Sequence, residues 1–141
     1  MKPNNSFADV RVETAVRAAE LFSDAAKVAG AQEGFFVLPL DYGGNVLAEP
    51  IMVSLGDKDG MAAVNPKDVF KAAFKAGADA IIVAHNHPSG VLRPSKVDLH
   101  LTEELKSRAE WLGLEFIDHI ILGSSDSAKG FDFVSLAEVV L

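Results

Sequence analysis

The run Ala80-Ile81-Ile82-Val83-Ala84 is apolar without a break and rich in β-branched side chains. A strand with one wet face alternates polar and apolar residues, so this run reads as a strand covered on both faces. Such a strand needs helices above and below it, and helix signals stand on either side. Asn65-Pro66-Lys67-Asp68 joins an N-cap residue to proline at the first helical position, and Val69, Phe70, Ala73 and Phe74 follow before Gly77 ends the helix. Pro94-Ser95 opens a further helix, with Val97, Leu101, Leu105 and Leu112 expected on one face before Gly113. Val12, Val16, Ala19, Phe22 and Ala26 recur at helical spacing ahead of Gly30, which predicts a first helix over about residues 9 to 29.

The remaining strands are shorter signals. Phe35 to Leu40 reads as a strand, Asp41-Tyr42-Gly43-Gly44-Asn45 as a turn, and Val46 to Leu55 as a second strand. Pro39 lacks an N–H, which predicts that the first of these is an edge or bulged strand. Leu114 to Leu122 and Phe131 to Val134 complete the set, and Ser135 with Glu138 resembles a capping box for a short terminal helix. The order α-β-β-α-β-α-β-β-α predicts an α/β chain, a mixed sheet flanked by helices. Residues 1–9 are expected to be a flexible N-terminus and residues 10–141 a single domain, with Gly123 to Gly130 as the one linker-like loop inside it.

Composition narrows the chemistry. The chain has no cysteine, which removes thiol nucleophiles, disulfides and Cys-ligated zinc, so any metal must bind through His, Asp or Glu. With 13 Lys+Arg against 20 Asp+Glu the net charge is −7, and no basic cluster offsets it, so nucleic-acid binding by this chain alone is disfavoured. Neither a signal-peptide pattern nor an apolar run near the ~20 residues of a bilayer span is present, which makes a cytoplasmic address the default expectation.

Chemistry concentrates directly after the buried strand, in VAHNHPSGVLRPSKVDLHLT. His85 and His87 are two apart at a strand end, where side chains i and i+2 share a face. Pro88-Ser89-Gly90 turns the chain, and in the next helix positions 95, 98 and 102 lie on one face, so Asp98 can look back at the histidines. Two neutral imidazoles and one carboxylate suit a catalytic zinc ion, leaving its fourth position for water. Each residue also has a plain structural reading. Ser95 and Asp98 are spaced as a helix-capping pair, His87-Pro88 can start a turn, and His85 can be a hydrogen-bonded strand residue.

His85-x-His87, seven residues and then Ser95-x-x-Asp98 is similar to the JAMM metallopeptidase motif of JAB/MPN domains, and HNHPSG…PS…D…T resembles the RadC family. Glu33 to Asp41 looks like that family's first strand, Asn65-Pro66 like its second helix start, and Asp118-His119-Ile120-Ile121-Leu122-Gly123 like its following strand. The resemblance implies a cytidine-deaminase-like three-layer architecture and a zinc-dependent hydrolase of peptide or isopeptide bonds, with one Zn2+ per chain. It implies His85, His87 and Asp98 as metal ligands, Glu33 as general acid/base and Ser95 as a donor to the tetrahedral intermediate. Glu49 is the internal rival to Glu33, and an exposed loop charge is the plain reading of Glu33 itself. His100 is expected at the surface. Asp118 and His119 are adjacent on a strand and point to opposite faces, so at most one reaches the site, as a partner to a metal-bound imidazole or as an ordinary strand residue.

RadC-like proteins of full length carry an N-terminal helix-hairpin-helix region, and nothing before Val10 could form one, which leaves a fragment or a stand-alone domain. The alternative reading of function is a RadC-family DNA-repair-associated or mobile-element-associated binding module without hydrolase activity. The expected partner of the first reading is a peptide or protein substrate; oligomeric state is not legible.

Overall fold

The computed structural model describes residues 10–30, 32–56, 64–123 and 132–139. The expectations for residues 1–9, for loop positions 124–130 and for Phe131 as a strand start lie outside them. Strands β1 (Gly34–Leu40), β2 (Ile51–Leu55), β3 (Ala80–Asn86), β4 (Glu115–Leu122) and β5 (Phe133–Ser135) form one 5-stranded sheet in the order β2-β1-β3-β4-β5. The helices are α1 (Ala15–Ala29), α2 (Pro66–Lys75), α3 (Lys96–Trp111) and α4 (Leu136–Val139). β1 runs antiparallel to β2 and β3, β3 is parallel to β4, and β5 is antiparallel to β4. The parallel pair needs a crossover, which α3 supplies.

Side-chain alternation splits the core into two layers. Phe36, Leu38 and Leu40 of β1, Ala80, Ile82 and Ala84 of β3, and Ile120 and Leu122 of β4 pack with Ala18, Ala19 and Phe22 of α1. Phe35 and Val37, with Ile81 and Val83, pack on the other face against Val69, Phe70 and Ala73 of α2 and Leu105 and Ala109 of α3. The result is three layers, with β3 buried along its whole length as its composition predicts. The β3–β4 register slips between Ile81 and Ile82, which pair with Phe116 and Asp118 and leave Ile117 as the extra residue. Leu114 and Phe116 therefore face α2 and α3 before the bulge, while after it the even positions Ile120 and Leu122 face α1. Odd positions such as His119 pass to the α3 side.

Four expectations need correction. α1 begins at Ala15 behind Thr14, whose side chain accepts the N–H of Arg17. Residues 10–12 are instead extended along the turn after β1, with Val12 N–H donating to Gly44 and Val46 N–H to Val10. These backbone bonds outweigh the apolar spacing that extended the predicted helix backwards, and Val16 is 51% exposed. β2 starts at Ile51, because from Val46 the chain makes only an isolated bridge to Leu40 before an irregular stretch. Pro39 lies in an internal strand, not an edge strand. Its carbonyl accepts from Leu47 N–H, so its missing donor faces the irregular 47–50 stretch and leaves the β3 ladder intact. A bulge is present, but at Phe35/Phe36 in the pairing with β2. On α3, Val97 and Leu112 are 61% and 48% exposed, and the inward face is Asp98, Thr102, Leu105 and Ala109. An aliphatic stripe was expected where the first two turns carry polar groups inward.

Candidate metal centre

The two layers meet chemistry at the carboxyl end of β3. His85 follows Ile81 and Val83 on the α2/α3 face, and its N-terminal neighbour across the sheet is Phe35 at the start of β1. That pairing puts Glu33 beside the end of β3. Asn86 fixes it there: its side-chain oxygen accepts from Gly34 N–H at 2.7 Å and its amide donates to the Gln32 carbonyl at 2.9 Å, so both neighbours of Glu33 are tied to one buried side chain. His87 extends the ladder, donating its N–H to Leu122 at 2.7 Å.

α3 delivers Asp98 from the opposite side. Ser95 Oγ accepts Asp98 N–H at 3.0 Å and Asp98 Oδ2 accepts Ser95 N–H at 2.8 Å, a reciprocal capping box. The same carboxylate stands with Oδ1 3.2 Å from His85 Nε2 and Oδ2 3.3 Å from His87 Nε2. Capping and facing the histidines are thus one conformation, since the cap holds the carboxylate in the rotamer that points at the imidazoles. Glu33 Oε1 lies 3.8 Å from His85 Nε2, with the side chain 11% exposed.

Ligand-type atoms of Glu33, His85, His87 and Asp98 all fall within 4.8 Å of one another. Their donor chemistry fits a cation. Val91 carbonyl can only accept, and it lies 2.7 Å from His87 Nδ1, so that nitrogen carries the proton and a neutral His87 turns a bare Nε2 toward the cluster. His85 Nε2 is 2.8 Å from His87 Nε2. Tetrahedral zinc with bonds of about 2.0–2.1 Å holds its ligands roughly 3.3 Å apart. The 3.2 and 3.3 Å nitrogen–oxygen separations match that spacing, and the nitrogen pair is somewhat closer.

Electrostatics follow the same arrangement. Burial pushes the Asp98 carboxyl upward, but the imidazoles of His85 and His87 outweigh it and hold the group well below the usual carboxylate range. The Asp98 carboxylate raises His87 against the opposing effect of burial. His119 is driven well below the ordinary imidazole value by complete burial, with His85 adding to the shift, so it is neutral.

The remaining expected residues separate cleanly. Glu49 is exposed in the stretch before β2 and is not part of the cluster, so Glu33 is the carboxylate that stands beside His85. His100 is exposed, as expected from its angle on α3. Ser95 serves as the N-cap, and that bond uses its oxygen but not its proton. Asp118 turns to the α1 face and accepts from the backbone N–H of the next residue, His119, and from Ser135 and Ala137 of the C-terminal segment. His119 turns the other way, with Nε2 2.7 Å from His85 Nδ1 and Nδ1 2.6 Å from Thr102 Oγ1. Thr102 and Asn86 carried no expected role. Thr102 shares a helix face with Ser95 and Asp98, which was the available signal; nothing local marks Asn86.

The RadC-like JAB domain family model matches residues 12–139. A UPF0758 protein of Finegoldia magna is 40% identical over 95 residues, 67% of this chain and 42% of that protein. One from Acaryochloris marina is 46% identical over 95 residues, 67% of this chain and 38% of its own. A third, from Cyanothece sp., is 38% identical over 118 residues, 84% of this chain and 45% of its own. The chain spans about two fifths of the length of these relatives. Its mixed sheet flanked by helices is consistent with the JAB/MPN fold. With the match running from the strand-like segment before α1 to the end of α4, the chain belongs to the RadC-like JAB domain family.

Proposed function

We propose that the chain is a zinc-dependent hydrolase of the JAMM type that cleaves an amide bond, peptide or isopeptide, with His85, His87 and Asp98 holding the ion. The observation that carries this reading is the convergence of two imidazoles and a capped carboxylate, with a further carboxylate, Glu33, beside them. A divalent ion held by these three side chains supplies Lewis acidity to an attacking water and to the carbonyl oxygen it attacks. The protein's own part is positioning and proton transfer. Glu33 takes a proton from the water as its oxygen bonds to the carbonyl carbon, then delivers it to the amine nitrogen as the C–N bond breaks. Ser95 is placed at the mouth of α3 with a hydroxyl proton to give to the oxygen that gains charge. Phe35, stacked near His85 at a ring separation of 6.1 Å, walls the cluster on its sheet side.

Three features of the chain support hydrolysis over a binding role for nucleic acid: the net charge of −7, the absence of a basic cluster, and a second carboxylate, Glu33, beside His85. The test is metal content and turnover on the same tag-free preparation. About one zinc per chain is expected, with hydrolysis of a peptide or isopeptide library that disappears on chelation and returns on zinc addition. Less than about 0.2 zinc per chain with no uptake on titration removes the reading. Stoichiometric zinc without hydrolysis, together with salt-dependent DNA binding, replaces it with the binding-module reading.

A further inference from the structure

The buried chain His85–His119–Thr102–Asp98 has one arrangement of protons that satisfies every distance while leaving the buried His119 ring uncharged. Thr102 Oγ1 lies 2.7 Å from the Asp98 carbonyl, an acceptor only, so the single hydroxyl proton of Thr102 is committed there. Thr102 then meets His119 Nδ1, 2.6 Å away, with a lone pair, and His119 Nδ1 must carry a proton. His119 has no exposed surface and no carboxylate among its hydrogen-bond partners, so a second ring proton would bury an unpaired charge; with Nδ1 protonated, its Nε2 is bare. His85 Nδ1, 2.7 Å from that nitrogen, must be the donor, so Nε2 is the ring nitrogen of His85 left to offer a lone pair on the side of Asp98 and His87.

We propose that Thr102 and His119 are positioning residues that set the tautomer of His85, so that its Nε2 lone pair is aimed at the metal site. This rests on the metal-site reading given above. His87 has its tautomer set by a backbone carbonyl, as metal-binding histidines commonly do. His85 is buried deeper and reaches no such carbonyl among the bonds described, and the His119–Thr102 pair takes that place. The circuit closes on itself: it starts at the backbone of Asp98, crosses from α3 to β4 to β3, and returns from His85 Nε2 to the Asp98 carboxylate at 3.2 Å. The β4 bulge is what brings His119 to this face.

Replacing Thr102 with valine keeps the shape and removes the acceptor. His119 then gains by shedding its Nδ1 proton and carrying one on Nε2, which forces His85 to accept at Nδ1 and to carry its own proton on Nε2, where it blocks a ligand position. The full chain labelled with 15N-histidine and stripped of metal should show His85 and His119 both protonated at Nδ1 and bare at Nε2. In Thr102→Val both should switch to the Nε2–H form, and zinc affinity, read by competition with a chelator, should fall about 10- to 100-fold. Thr102→Ser, which restores the hydroxyl, should return to within about threefold of wild type. The wild-type spectrum decides the proposal even if Thr102→Val fails to fold: His119 protonated at Nε2 overturns it. Unchanged zinc affinity in a folded Thr102→Val also overturns it, while leaving the metal-site reading in place. A wild-type chain that takes up no zinc removes that reading instead, and the tautomer spectrum still decides the proton order.

Discussion

Asp118 and His119 are neighbours on β4, both buried, and they belong to opposite kinds of polar cluster. On the α1 side Asp118 is supplied with donors, accepting from His119 N–H at 2.7 Å, from Ala137 N–H at 2.9 Å and from the Ser135 hydroxyl. That carboxylate is complete, and it ties the last strand and terminal helix to the sheet. On the α3 side the polar groups end in acceptors facing acceptors, two imidazole nitrogens 2.8 Å apart with carboxylate oxygens around them. Buried polar groups are normally paired, so a cluster of lone pairs converging on one point is chemistry that only a cation or shared protons can complete. The two faces of one strand thus separate a self-satisfied cluster from one whose donor set could hold a metal ion.

The comparison breaks most severely at Asp98. Asp98→Asn should weaken zinc binding by more than the roughly 100-fold that loss of an outer partner costs, while an amide oxygen still accepts from Ser95 and the melting temperature of the metal-free protein barely moves. Full zinc content in this variant would reduce Asp98 to a cap. Next in size, Glu33→Gln should keep stoichiometric zinc and native melting yet lose at least about 100-fold in turnover, because an amide can hold water but cannot take its proton. Loss of zinc there would move Glu33 into the ligand set.

On the other face, Asp118→Ala should cost about 2 kcal/mol of stability by stranding three donors, with zinc affinity within about threefold of wild type. A variant that loses zinc and keeps its stability would erase the distinction between the two faces. The smallest effect is expected at Asn86, which grips the backbone on both sides of Glu33. Asn86→Ala should lower turnover about tenfold with zinc unchanged, since loosened positioning of a general base costs rate and not metal. Equal turnover would show that Glu33 is held by β1 alone.

The element order and the gathering of His85, His87 and Asp98 are legible because they rest on local signals: an unbroken apolar run, proline at a helix start, and i, i+2 and i, i+3 spacings. Glu33 was legible only through the family resemblance, because its approach to His85 depends on the antiparallel pairing of Phe35 with His85. The direction of His119 depends on the bulge at Ile117, which resets alternation midway along β4 and leaves no mark in a run that reads as one strand. Helical spacing carries the predicted α1 back past Val12, yet the N–H of Val12 is claimed by Gly44 across the turn. The inward face of α3 departs from its aliphatic pattern for a related reason. Its aliphatic residues suggest a stripe, but the first turns are turned inward by Asp98 and Thr102, which the site needs there.

The central claim is that the lone pairs of His85, His87 and Asp98 share one divalent ion. Diffraction from zinc-loaded crystals at wavelengths on either side of the zinc absorption edge tests it directly. The account predicts a single anomalous peak bonded to His85 Nε2, His87 Nε2 and an Asp98 oxygen at about 2.0–2.2 Å, with the Glu33 carboxylate close by but outside bonding distance. A peak elsewhere, no peak, or an ion bound through Glu33 in place of Asp98 would contradict it.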